Sequence, residues 1–309
     1  MRVAVIDLGT NTFNLFIADI ISPTEYKKVF KTKVPVKLGE GGIAKNKIAS
    51  AAFARGIDAL RKYKKLIDGF NTEQIFAFAT SAIRSAENGK KFTETAKKET
   101  GITINVISGD REAEFIYKGV KQALQIGDEA SLILDIGGGS NEFIIATSEE
   151  VLWKQSFNLG VSRMLEKFKP SDPIAESEVK KIEKYFEDEL APLFEAVTNN
   201  PVKELIGSSG SFDTFAEMIA HKFHSPEMLK GKTEYEFNLP EFFEVHNQLI
   251  KSTRAERIQT KGLVELRVDM IVIGSVFVSF ILSKLSINKM RLSTYSLKEG
   301  VLDELMSKL

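Results

Sequence analysis

The chain has 309 residues, 42 Lys+Arg against 42 Asp+Glu, 43% hydrophobic residues and no cysteine. That length exceeds what one hydrophobic core usually serves, and the ordinary apolar and charged fractions imply two globular domains rather than a disordered chain. Balanced charge excludes a strongly basic DNA-binding protein, and the lack of cysteine excludes a disulfide framework or a thiolate metal site.

In chain order, apolar alternation predicts strands at about 2–9, 13–21 and 26–38, then a helix from Lys47 to about Gly69. A strand over Gln74–Thr80, a helix near Asn88–Thr100, a strand at Ile104–Ile107 and a helix opening at Ser108 complete the first half. The pattern then restarts, with strands at about 131–136, 141–146 and 150–156, a helix over 176–198, a strand at 203–207 and a helix from Phe212. Two ββ-β-α-β-α halves imply duplicated α/β domains. The expected boundary is near Gly119, giving residues 1–119 and 120–296, with no Gly/Ser-rich or Pro-rich linker between them. Glu227–Pro240 is polar and lysine-rich and reads as an exposed loop. The longest apolar stretch, Met270 to Leu282, is interrupted by Gly274, Ser275 and Ser279 and is too short to span a bilayer. The chain enters a strand directly after Met1-Arg2, so no signal peptide, no membrane and a cytoplasmic location are expected. Residues 1–119 hold 20 Lys+Arg against 13 Asp+Glu, which marks that half as the more anion-facing one.

The most informative pattern is an apolar strand that ends in aspartate and a glycine-polar turn, and it occurs twice. The copies are Val3-Ala4-Val5-Ile6-Asp7-Leu8-Gly9-Thr10-Asn11-Thr12 and Leu132-Ile133-Leu134-Asp135-Ile136-Gly137-Gly138-Gly139-Ser140-Asn141. Glycines let the backbone approach a ligand, and free N–H groups with small hydroxyls hold phosphate oxygens. Facing each other, the turns Gly9-Thr10-Asn11 and Gly137-Gly138-Gly139-Ser140 would form a phosphate cleft, with Asp7 and Asp135 placed to hold Mg²⁺ directly or through its waters. Three histidines, His221, His224 and His246, are too few and poorly spaced for metal ligation, so any metal is expected to be hard and oxygen-bound.

Four further segments carry chemistry. Ser108-Gly109-Asp110-Arg111-Glu112 opens a helix after a strand, and Glu112 there would suit a general base for water attacking a phosphoanhydride. Thr80-Ser81-Ala82-Ile83-Arg84 places two hydroxyls and a guanidinium at a strand end, so Arg84 would clamp a phosphate bidentately. Gly207-Ser208-Ser209-Gly210-Ser211 is a third strand-turn-helix cradle, in which Ser208, Ser209 and Gly210 would bind phosphate. Glu142, seven residues after Asp135, brings a second carboxylate back toward the turn.

Taken in order, these segments resemble the exopolyphosphatase and guanosine pentaphosphate phosphohydrolase (Ppx/GppA) family of the actin, Hsp70 and sugar kinase superfamily. Further matching stretches are Leu38-Gly39-Glu40-Gly41, Arg267-Val268-Asp269 and Lys298-Glu299-Gly300. The resemblance implies two actin-like (ribonuclease H-like) domains with the active site between them and the final helix, near 297–309, packed back on the first domain. It also implies Mg²⁺ dependence and release of a terminal phosphate from inorganic polyphosphate or pppGpp. Glu112 matches the family's catalytic glutamate, and Asp135 with Glu142 would hold metal or position water. An ATP-dependent small-molecule kinase and a non-catalytic nucleotide sensor are the alternatives within the same superfamily. Three departures bear on the site: Arg111 and Glu114 flank the catalytic position where relatives place two acids and then Ala-Arg, Asn141 replaces threonine, and Lys298 replaces arginine. Arg111 would either lower the basicity of Glu112 or bind substrate phosphate. The resemblance implies a short form without the additional C-terminal helical domain of larger relatives, so a long basic channel is not expected within one chain, although a homodimer could build one.

Overall fold

The computed structural model describes residues 1–208 and 210–308. Its first sheet is built from β1 (Arg2–Leu8), β2 (Thr12–Ser22) and β3 (Glu25–Pro35), an antiparallel meander, followed by α1 (Ser50–Gly69) and β4 (Gln74–Ala79). The short helix α2 (Ser81–Arg84), α3 (Gly89–Thr100) and β5 (Ile104–Val106) complete it, giving the strand order β3-β2-β1-β4-β5. Helix α4 (Gly109–Ala123) leads to the second sheet. There the meander β6 (Ser131–Ile136), β7 (Asn141–Ala146) and β8 (Val151–Phe157) precedes α5 (Val161–Phe168), α6 (Glu176–Glu189), α7 (Ala191–Asn199) and β9 (Glu204–Ser208). Helix α8 (Gly210–Phe223), β10 (Glu234–Glu236), α9 (Leu239–Lys251), α10 (Arg254–Gln259), α11 (Ile271–Lys284), β11 (Lys289–Ser293) and α12 (Leu297–Met306) follow, and the order is β10-β11-β9-β6-β7-β8. Apart from the extra edge strand β10, the second order repeats the first: a meander whose first strand is central, then two parallel strands added beside it. The chain therefore folds as two actin-like α/β domains.

The local causes are plain. Every residue of β6 is buried, as expected of a central strand covered on both faces. Helix α11 is apolar on all sides and sits in the second core with Phe143, Phe186 and Phe212. A separate core lies between the two sheets, where Val3, Val5 and Phe16 meet Ile133, Ile144 and Ile206 through α4 and α12. Helix α12 also packs on β1 and β2. The central position of α4 is what brings its first turn to the gap between the sheets.

Three expected elements differ. The strand 26–38 stops at Pro35 because Val36 and Leu38 turn inward to the first core ahead of a 3₁₀ turn at Ile43–Lys45. The helix 176–198 is two helices, broken at Leu190, since Pro192 has no N–H to continue the ladder and sits in the first turn of α7. The exposed loop 227–240 is partly ordered structure, with a 3₁₀ turn at Pro226–Leu229 and β10, whose Tyr235 pairs with Leu292 of β11 and is buried. Among the described residues, no helix is long and apolar enough to cross a membrane.

Candidate active site

Each sheet ends its first strand alike. Asp7 of β1 stands opposite Asn14 of β2, and Asp135 of β6 stands opposite Glu142 of β7. One hydrogen bond then closes each turn: Gly9 N–H donates to Thr12 O at 3.1 Å, and Gly137 N–H donates to Ser140 O at 3.1 Å. The turns face one another so closely that a Cβ at Gly138 would lie 2.6 Å from Asn11 Nδ2 and one at Gly139 would lie 2.7 Å from Thr10 Oγ1. Only glycine permits that approach. Between the turns is a cleft of about 120 Å³ lined by both of them and by Asp7, Glu112, Asp135, Glu142 and Gly210. The backbone N–H groups of Thr10, Asn11, Gly138, Gly139 and Ser140 donate to no acceptor among the described residues. Buried N–H groups without partners are rare, and a row of them is an anion cradle. Ser81 Oγ, buried on the same wall, likewise has no partner among the described residues.

Carboxylates line the same cleft. Ser108 caps α4 by accepting the Arg111 N–H at 3.2 Å, which puts Glu112 in the first turn with its side chain inward. Glu112 accepts from Arg84 Nη1 at 2.8 Å, and the same Arg84 nitrogen reaches Ile107 O at 3.2 Å. Burial holds the Glu112 carboxyl well above the usual range and the Glu142 charge adds to the rise, while Arg84 acts against both. Glu142 accepts from Ser140 Oγ and Ser156 Oγ, each at 2.7 Å, and burial together with the Asp135 charge pushes its carboxyl up to about 7. Burial also raises Asp7 to about 6, against the pull of Lys298 and the Asn14 hydrogen bond. Asp135 accepts from Ser296 Oγ at 2.6 Å and from Ser208 Oγ at 3.3 Å. Such an arrangement is suited to holding an anion, and its raised carboxyls are suited to proton transfer. Among the described residues no group of three or more acidic or histidine side chains is spaced to hold a metal by itself. Two aspartates facing an anion cradle nevertheless suit Mg²⁺, which is commonly held by one or two carboxylates together with substrate phosphates.

Residues 17–309 match the family described as Ppx/GppA phosphatase. The chain belongs to the Ppx/GppA family. Its structure is similar to that of an exopolyphosphatase from Cytophaga hutchinsonii, with a TM-score of 0.94 and 41% identity covering 100% of this chain and 99% of that one. The PPX-GPPA enzyme of Aquifex aeolicus is similar at a TM-score of 0.80 and 27% identity, covering 98% and 99%. A bifunctional 3-dehydroquinate synthase/phosphatase of Fusobacterium nucleatum is 40% identical over 173 residues, which are 53% of this chain but only 26% of that protein.

In this Ppx/GppA chain the cleft gathers Asp7, Gly9, Thr10, Asn11, Glu112, Asp135, Gly137, Gly138, Gly139, Ser140, Glu142 and Gly210. Arg84 stands behind Glu112 rather than on the wall, and Ser208 turns toward Asp135 and Tyr295 O. Ser209 lies outside the described residues. Arg111 points out of the site to Glu114 at 2.7 Å and Glu304 at 2.6 Å. Its two expected roles at Glu112 therefore have no contact behind them here.

Sequence reasoning assigned no role to three participants. Arg267 lines the cleft and makes no side-chain hydrogen bond or ion pair among the described residues, although it feels the charges of Asp213 and Asp135. Ser296 bonds Asp135 from the turn before α12, and buried Lys298 pairs with Glu299 at 3.2 Å while acting on Asp7. Only the unassigned family stretches at 267–269 and 298–300 hinted at two of them.

Proposed function

We propose that this Ppx/GppA phosphatase hydrolyses the terminal phosphoanhydride bond of inorganic polyphosphate, with Glu112 as general base. The row of unpaired N–H groups in the facing turns, in the same cleft as a buried and basic Glu112, carries this reading. The terminal phosphate lies in the turns, its oxygens meeting Thr10, Asn11, Gly138, Gly139 and Ser140 N–H, with Ser81 Oγ and the Arg267 guanidinium adding donors. Glu112 accepts a proton from water as the water oxygen attacks the terminal phosphorus. The bond from that phosphorus to the bridging oxygen breaks, and the shortened chain leaves with the electron pair. Arg84 favours the ionised form of Glu112 for this step against burial and the Glu142 charge, and Glu142, pinned by two serine hydroxyls, orients the same water. Asp7 and Asp135 would hold Mg²⁺, which supplies neutralisation of phosphate charge when bound.

One observation favours pppGpp as a second substrate. A cavity of about 530 Å³ shares Arg267 with the cleft and combines Lys33, Lys232 and His221 and the acids Asp213, Glu217 and Glu234 with apolar walls from Tyr235, Leu263 and Leu292, a mixed polar and apolar lining suited to a nucleoside.

The test is phosphate release, with Mg²⁺, from long-chain polyphosphate, tripolyphosphate, pppGpp and ATP by the wild type and Glu112→Gln. Release from polyphosphate that falls about a hundredfold or more in the variant is expected for a lost general base. Binding without release from any substrate would favour the sensor, and phosphate transfer from ATP to an added acceptor would favour the kinase.

A further inference from the structure

Each phosphate turn is gripped on its carbonyl side by a separate outer segment. For the first turn the segment 37–46 does this, as Lys37 N–H donates to Asn11 O at 2.8 Å and Gly39 N–H to Thr10 O at 3.1 Å. For the second turn the grip is the start of α5. Val161 N–H donates to Gly137 O at 3.0 Å, while Ser162 and Arg163 N–H donate to Gly138 O at 2.9 and 3.1 Å. Two side chains of α5 then join the outer segments to each other. Arg163 Nε donates to Gly139 O at 3.0 Å and its Nη1 donates to Ile43 O at 2.8 Å and Asn46 Oδ1 at 3.3 Å. Its Nη2 reaches Ser85 Oγ, beside Arg84, at 3.4 Å. One helical turn later, Glu166 accepts from Gly41 N–H at 2.7 Å and Ala44 N–H at 3.2 Å.

Arg163 has no carboxylate at ion-pair distance among the described residues. A half-buried guanidinium spent on neutral carbonyls from two sides of a cleft is unusual, because burial disfavours its charge and the neighbouring charges, Glu166 among them, offset only part of that loss without a direct ion pair. Its planar fork reaches several acceptors at fixed spacing, which an ammonium does not.

We infer that Arg163 and Glu166 are positioning residues that set the separation of the two phosphate turns, and with it the alignment of the terminal phosphate against the water held by Glu112. The catalytic part of this inference rests on the proposed hydrolase reading, whereas the mechanical part does not. Neither residue touches substrate. They act through Gly139 O and the 41–44 backbone, so the loss of either releases the same joint.

The experiment compares Arg163→Met, Arg163→Lys, Glu166→Gln and the Arg163→Met/Glu166→Gln double variant by amide hydrogen exchange, thermal melting and phosphate release from long-chain polyphosphate. Exchange at Gly41 and Ala44 should rise about tenfold or more in Arg163→Met, as well as in Glu166→Gln, while the melting temperature stays near that of the wild type. The kcat should fall about tenfold to a hundredfold, the range expected for a misplaced reacting group, with a smaller change in KM. The double variant should lose no more than the worse single one, and Arg163→Lys should recover part of kcat. Unchanged exchange at 41 and 44 in Arg163→Met would overturn the inference whatever the activity. So would wild-type kcat in that variant, or a lowered melting temperature with normal turnover per folded molecule. If the wild type releases no phosphate at all, the hydrolase reading fails, and the exchange data alone decide whether the joint exists.

Discussion

Replacing Arg84 by methionine should move the pH dependence of turnover rather than merely lower it. Arg84 and Glu112 meet at 2.8 Å with side chains 23% and 11% exposed, so water screens the pair only partly. With charge centres about 4 Å apart and an effective dielectric of about 20, the attraction is about 4 kcal/mol. At 1.36 kcal/mol per pH unit that is about 3 units, and it is a ceiling because water entering the vacated space restores some solvation to the carboxylate. Arg84 acts to lower the Glu112 pKa against burial and the Glu142 charge, so its removal makes Glu112 hold its proton to higher pH. A protonated carboxyl cannot accept a proton from water. The acid limb of kcat should therefore shift alkaline by about one unit or more, with about tenfold or greater loss at pH 7. Arg84→Lys, which keeps the charge, should shift it much less. The assay is phosphate release at saturating polyphosphate from about pH 5 to about pH 9, so that any loss of phosphate binding registers in KM instead. An acid limb that overlays the wild type beneath a lower plateau would refute the argument, and Arg84 would then act on the substrate alone.

Gly160→Ala should abolish phosphate release with little loss of secondary structure, since its Cβ would lie 2.4 Å from Gly138 C and Gly139 N and must displace the phosphate turn. Wild-type kcat in the folded variant would count against the geometry of that turn. Glu304→Gln tests the joint between α12 and α4 by urea unfolding. Burial opposes the Glu304 charge, but Lys118, Lys308 and Arg111 hold its carboxyl down at about 2. A depressed folded pKa contributes stability above the ordinary carboxylate range that is lost as pH falls from about 5 to about 2. Solvent screens these partly exposed partners, so the variant should lose about 1 kcal/mol at pH 7, and the difference from wild type should shrink steadily below about pH 5. An equal deficit at every pH would mean that the loss is packing rather than charge.

What the sequence made legible was local chemistry. A strand followed by a glycine-polar turn announces itself within ten residues, and a first-turn acid such as Glu112 does so within one helical turn, so both turns and the candidate base could be named from the sequence. Directions were not. Arg111 is the neighbour of Glu112, yet successive helical positions point about 100° apart, so one enters the cleft while the other meets Glu304, 193 positions further along the chain. Arg163 and Glu166 look like the solvated face of an eight-residue helix, because their partners on segment 41–46 lie more than a hundred residues away. Arg267 carries no periodic or spacing pattern, and its meaning rests on what it fails to contact. Pro192 was readable as a helix breaker in principle, but strong amphipathic spacing on both sides concealed the break at Leu190.

The duplicated halves have also divided the chemistry between them. At the equivalent register position the first sheet pairs Asp7 with Asn14, a neutral amide, whereas the second pairs Asp135 with Glu142, a second acid. An amide does not repel the aspartate and its hydrogen bond favours the charged form, so in the first half burial is the main cause that raises Asp7 to about 6. The second half brings two acids together, so that burial is joined by the Asp135 charge in pushing Glu142 up to about 7 and by the Glu142 charge in raising Glu112. Glu112 itself comes from α4, the helix packed between the sheets. The proposed base therefore depends on both halves at once, taking the like charge of Glu142 from one and the compensating Arg84 from the other. Separating the sheets would remove these influences together, which makes proton acceptance at Glu112 sensitive to the same spacing that Arg163 and Glu166 hold.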